Sequence, residues 1–92
     1  MSVKTYILDG RVILSMNDFY DEITRVLPLP EYFGRNLDAL ADSLLTDIEG
    51  PLEIVWEYSS ASRKAMKQDY SRVAEILKHV GRERDDCKVT FS

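Results

Sequence analysis

The sequence predicts a small α/β domain, a three-stranded parallel sheet packed with about four helices. Three observations carry that expectation. β-Branched and aromatic runs occur at residues 3–8, 52–57 and 88–92, and helical-period sequence separates them. Strands joined through helices pair in parallel by right-handed crossovers. The 92 residues, 45% of them hydrophobic, suffice for one core and not for two, so residues 1–92 are expected to form one domain.

Val3-Lys4-Thr5-Tyr6-Ile7-Leu8 is the first predicted strand, ended by the turn pair Asp9-Gly10. That pair also permits, locally, a hairpin from residues 5–8 into residues 11–14. Ser15 is placed to cap the first helix, with Asp18 three residues on as a carboxylate capping box. Met16, Phe19, Tyr20, Ile23 and Leu27 follow at helical spacing until Pro28 stops the helix. Leu29-Pro30-Glu31-Tyr32-Phe33-Gly34 is a short rigid loop, after which Asn36 caps the second helix and Asp38 complements its dipole. Leu37, Leu40, Ala41, Leu44 and Ile48 form its buried stripe. Asp38 and Asp42 project together from the flank, with Leu45 beside them, and Glu49-Gly50-Pro51 ends the helix.

Leu52-Glu53-Ile54-Val55-Trp56-Glu57 is the second strand. A short helical connection follows, carrying Arg63, Lys64 and Lys67. Asp69 is the expected cap of the last helix, whose core stripe is Tyr70, Val73, Ala74, Leu77 and Val80. Ile76 sits at the edge of that stripe, and His79, expected at the surface, faces away from Tyr70. Lys88-Val89-Thr90-Phe91-Ser92 closes the sheet, with Cys87 a small buried residue beside it.

Charge is unevenly spread. Residues 31–50 hold Glu31, Asp38, Asp42, Asp47 and Glu49 against Arg35 alone, which accounts for the whole net charge of −4. A solvated helix face is the plain reading of such a segment; an acidic binding surface for a basic partner is the functional one. The balance disfavours nucleic acid as a partner, and Arg63, Lys64 and Lys67 lack interleaved aromatics. No apolar run reaches the length of a bilayer span, and the N-terminal residues lack a basic segment followed by an apolar one. With the lone Cys87, these features lead to an expected cytoplasmic, membrane-free location.

Enzyme chemistry is poorly supplied. One histidine cannot form a two-histidine acid/base pair, and there is no nucleophile elbow, phosphate-binding glycine loop or zinc-type spacing. No catalytic residue, metal or cofactor is therefore expected. Asp38 and Asp42 could in principle serve as acid and base, but their like charges at i,i+4 repel and nothing else of a substrate site accompanies them. They fit a binding surface at least as well.

Residues 29–42, Leu-Pro-Glu-Tyr-Phe-Gly-Arg-Asn-Leu-Asp-Ala-Leu-Ala-Asp, closely resemble the barstar signature Leu-Pro-Glu-Tyr-Tyr-Gly-x-Asn-Leu-Asp-Ala-Leu-Trp-Asp. Pro51-Leu52-Glu53-Ile54-Val55-Trp56 is similar to that family's second strand, and the other elements match in order and length. The resemblance implies a barstar-like fold and a one-to-one inhibitor of a basic, secreted, barnase-like, guanyl-preferring microbial ribonuclease, monomeric when free. Carried over by position, it puts Tyr32, Asn36, Asp38, Ala41 and Asp42 at the interface. Asp42 falls on the carboxylate that fills the enzyme's phosphate site, Asp38 on an acid that pairs with its basic groups, and Tyr32 on an aromatic that packs against a catalytic histidine. Leu45, Ile76 and His79 are expected at the edges of the same surface. Ala41 and Asp47 stand where the family has tryptophans, and His79 aligns with an interface glutamate, with a two-residue length change near residues 82–86. Those departures leave a barstar-like module for another basic protein or toxin as the alternative.

Overall fold

The computed structural model describes residues 2–92; Met1, the first residue of the expected domain, lies outside the described residues. The elements run β1 (Lys4–Asp9), a 3-10 turn (Gly10–Val12), α1 (Met16–Val26), α2 (Leu37–Thr46), β2 (Leu52–Glu57), α3 (Ser59–Met66), α4 (Gln68–Glu83) and β3 (Cys87–Phe91). The strands form one parallel sheet in the order β1-β2-β3, as the helical connections require. Three parallel strands and four helices give the α/β architecture expected.

The period of two along β2 decides which face the helices cover. Leu52, Ile54 and Trp56 are buried, whereas Glu53 and Val55 are half-buried and Glu57 is exposed. Trp56 stacks on Phe19 of α1 at 5.4 Å and meets Tyr70 of α4 at 5.1 Å, so three elements close on one indole. Its Nε1–H donates to Ser62 Oγ (3.1 Å), and that hydroxyl donates to the Gly10 carbonyl (2.8 Å). A buried polar chain thus ties α3, β2 and the 3-10 turn together without an unmet donor.

Two local expectations give way to long-range contacts. The hairpin after Asp9-Gly10 does not form: residues 10–12 make a 3-10 turn, with the Asp9 carboxylate accepting from the Arg11 N–H at 3.0 Å. Gly10 runs so close to β2 that a Cβ there would overlap the carbonyls of Glu57 and Tyr58. The outward Asp9 N–H is taken by Glu22 Oε2 of α1 at 2.9 Å, closing that end of the strand to a returning partner. Asp69 does not cap α4 either; it lies in the first turn, and the N-cap is Lys67, at φ 56° with no side-chain cap bond. Ser15 does cap α1, its Oγ accepting from the Asp18 N–H (3.1 Å), while Asp18 reaches back to the Leu14 N–H (3.1 Å).

Candidate partner-binding surface

The loop before α2 is held from beneath. Pro30 O accepts from the Phe33 N–H at 3.0 Å, and the Phe33 ring meets Tyr20 edge-on at 6.1 Å. Arg35, at φ 48°, turns its guanidinium onto α1, donating to Asn17 Oδ1 (2.8 Å) and Asp21 Oδ1 (3.0 Å). With Phe33 and Arg35 directed at α1, Tyr32 is left 83% exposed. An aromatic ring so placed on a pinned loop is ready for contact at little further entropic cost.

Asn36 begins α2, its Oδ1 accepting from the Ala39 N–H (2.8 Å) and its Nδ2 donating to the Gly34 carbonyl (3.2 Å). The side chain expected at an interface is thus also the cap that sets the helix direction. Leu40, Leu44 and Ile48 are buried as expected, whereas Leu37 and Ala41 of the predicted stripe are only half-buried and Ser43 is buried in addition. Asp38 and Asp42 are exposed on the other side, and Leu45 is half-buried at the flank.

Compensation at the far end of α2 comes from a distant segment. The last turn of α2 contains no basic residue. Arg84, just beyond α4, donates from Nη1 to the carbonyls of Leu44 and Ile48, both at 2.8 Å. Its other nitrogens form a fork onto Asp86, at 2.9 and 3.0 Å, which holds that carboxyl below its usual range. Gly50 passes so near that a Cβ would overlap both Arg84 and Asp86. Nothing in the local sequence of α2 announces this cap; the unmatched last turn was the only available signal.

Packing of α4 against α2 brings a second helix to the surface. Ile76 and His79 are half-buried on one flank of α4, so His79 is less open than the sequence implied. All five acids of residues 31–50 are exposed, and none forms an ion pair among the described residues. The one base in that segment, Arg35, is spent on Asp21. Glu49 lines a cleft with Lys4, Tyr6, Pro28 and Pro51, whereas among the described residues Glu31, Asp38, Asp42 and Asp47 line none of the three clefts described. Among the described residues, no three His, Cys, Asp or Glu side chains are grouped to hold a metal ion, and no helix is long and apolar enough to cross a membrane.

The acids of residues 31–50 thus stand open on and around a capped helix, an arrangement complementary to a basic protein surface. The chain belongs to the barstar (barnase inhibitor) family, whose family model matches residues 3–92. It is 30% identical over 88 residues to a Bacillus subtilis protein named "Putative ribonuclease inhibitor YrdF", covering 95% of this chain and 97% of that relative. The family and this relative support a ribonuclease-inhibitor-like role, directed at a ribonuclease partner.

Proposed function

We propose that the chain inhibits a basic, secreted, barnase-like ribonuclease by seating α2 and its preceding loop in the enzyme's active site as a one-to-one complex in the cytoplasm. The observation that carries this reading is the exposed pair Asp38 and Asp42, one turn apart on α2 and without an ion-pair partner among the described residues, following an exposed Tyr32 on a pinned loop. A ribonuclease site gathers Arg, Lys and His for phosphate, and a carboxylate on a rigid helix satisfies the same donors without offering a bond to cleave. In this reading Asp42 occupies the phosphate site and Asp38 pairs with the adjoining cations. Tyr32 packs on the catalytic imidazole, and Asn36 fixes the loop and the first turn. Ala41, Leu45, Ile76 and His79 make the less polar edge.

Inhibition titrations of Asp42→Ala and Asp47→Ala against one guanyl-preferring ribonuclease test it. Both side chains are exposed acids on or next to α2, but they stand about 140° apart around the helix. Asp42→Ala should weaken inhibition by about a hundredfold or more, because enzyme cations are left buried and unpaired. Asp47→Ala should cost no more than about fivefold, as for a rim charge. Equal losses would mean that bulk charge, not a placed carboxylate, does the blocking.

The second reading, a module for another basic protein or toxin, draws on Ala41 and Asp47. Two tryptophan anchors of the family signature are absent there, and aromatic anchors commonly dominate interface energetics. A folded chain that binds no barnase-like enzyme yet captures another cationic protein through Asp42 would establish it.

A further inference from the structure

The opposite flank of α4 carries the reverse charge. Lys78 and Arg82 lie one turn apart, exposed, and line a cleft of about 390 Å³ between α4 and β3, together with Gly81, Cys87, Lys88 and Val89. Among the described residues, no acidic one lines it. None of its three cations forms an ion pair among the described residues, and Asp86, close in sequence, is engaged by Arg84. The Lys78 ammonium lies 5.8 Å from the centre of the Phe91 ring, which directs it toward β3. Lys88 lies opposite Glu53 in the sheet register, so alternation sends its side chain to the sheet face away from α4, and it borders this cleft from the strand.

Backbone geometry adds a neutral donor. Asp86 O accepts from Leu52, and the Ser92 N–H donates to Trp56, so alternation along β3 turns Lys88 and Thr90 toward β2. Val89 accordingly directs its N–H away from the sheet at its free edge, beside the cations. Two features of this flank oppose stability. Like charges at Lys78 and Arg82 repel at i,i+4. Gly81 sits inside α4, where alanine would be the better helix former. Packing does not demand that glycine: a Cβ would meet Val89 Cγ2 at 3.6 Å, an ordinary contact. What its missing side chain provides is room on the cleft floor.

The geometry points to a second binding site in this cleft, for a small phosphate-bearing anion held by Lys78, Arg82 and the Val89 N–H. The Arg82 guanidinium and the Lys78 ammonium supply the donors a phosphate takes, and the volume suits a mononucleotide-sized ligand. An added β-strand is excluded at the near end. There a Cβ on Gly81 would lie 3.9 Å from Cys87 O, so α4 already occupies the space beside β3. The site does not depend on the acidic surface, and its test needs no ribonuclease.

Amide-resolved NMR titration of the full chain with adenosine 5′-diphosphate at low salt is the experiment, repeated with inorganic phosphate and with a short single-stranded RNA lacking terminal phosphates. The expected result is saturable shifts confined to residues 78–82 and 87–89 with the nucleotide, and the same shifts, weaker, with phosphate. Lys78→Gln with Arg82→Gln should weaken nucleotide binding by about tenfold or more. Gly81→Ala should weaken it several-fold while keeping or raising the melting temperature, a combination that a purely structural glycine would not give. Arg63→Gln with Lys64→Gln, remote from the cleft, should change nothing. Absence of saturable shifts, equal weakening in the Arg63/Lys64 control, or saturable binding of the RNA alone would overturn the proposal.

Discussion

Replacing Arg84 by methionine keeps an apolar stem but removes the cation that closes α2. The side chain is only 13% exposed, and one nitrogen serves the carbonyls of Leu44 and Ile48 at 2.8 Å each. A hydrogen bond to a charged group contributes about 1.5–3 kcal/mol net. Partial rehydration of a helix end favours the lower value for each, so the pair contributes about 3 kcal/mol. The fork to Asp86 adds little, about 0–1 kcal/mol, because that carboxylate is 47% exposed. Arg84→Met should therefore cost about 3 kcal/mol, and Asp86→Asn less than about 1 kcal/mol.

Trp56 makes the assay simple, since it is the only tryptophan and is wholly buried. Urea unfolding followed by its fluorescence gives both variants' stabilities, and at roughly 4 °C or more per kcal/mol Arg84→Met should melt at least about 10 °C lower. Inhibition by Arg84→Met should also weaken at temperatures where it is still folded, through faster dissociation, because the end of α2 bearing Leu45 is no longer tethered. Equal and small losses for the two variants would refute the reasoning. Arg84 would then be a surface ion pair, and the end of α2 would be held by apolar packing alone.

Three further outcomes follow from the same geometry. Association with a cationic ribonuclease should slow markedly between low and physiological salt, and an on-rate unaffected by salt in stopped flow would count against steering by residues 31–50. Glu22 is buried, and its carboxyl is held below the usual range by the Arg25 fork and, against the effect of burial, by the Asp9 N–H. Its stabilisation is thus complete above the unfolded pKa of about 4.3 and lost as pH falls through the lower folded value. Glu22→Gln should cost about 1–3 kcal/mol at neutral pH, and urea melts at successively lower pH should show the gap narrowing. Burial pushes the Cys87 thiol up, so a thiol-specific disulfide reagent should react with native protein far more slowly than with urea-unfolded protein.

How legible each element was depended on the sequence separation of its causes. β2 was foreseen at its observed limits, Leu52–Glu57, because a β-branched and aromatic run lies between clear breaks. The Ser15 and Asn36 caps were foreseen because their partners are three residues away. The Asp9-Gly10 hairpin was a sound local reading overruled by β2, some 45 residues on, and by Glu22. Arg84, 36 and 40 residues from its acceptors, left no pattern to find, and neither did Arg35 reaching back to Asn17 and Asp21. The candidate site residues rest on resemblance to a signature. Periodicity put Asp38 and Asp42 on one flank but gave no reason to join Tyr32, Ile76 or His79 to them.

These distant contacts explain how so acidic a helix stays ordered. Asp38 and Asp42 repel, with no base on α2 to offset them, and such a helix of ten residues would fray in isolation. It is held instead from three sides: Asn36 at the N-terminus, Arg84 at the C-terminus, and Leu40, Leu44 and Ile48 beneath. Burial of those three side chains alone contributes about 1.5–3 kcal/mol each, well above the like-charge repulsion of roughly 0.2–0.5 kcal/mol. Neither Arg84 nor the three apolar side chains draw on the outward face; only Asn36 is counted among the proposed contacts. In the proposed reading, substitutions at Ala41, Asp42 or Leu45 would therefore change what the surface recognises while the helix stays in place. That separation is what a family of inhibitors needs if its members are to follow different targets on one scaffold.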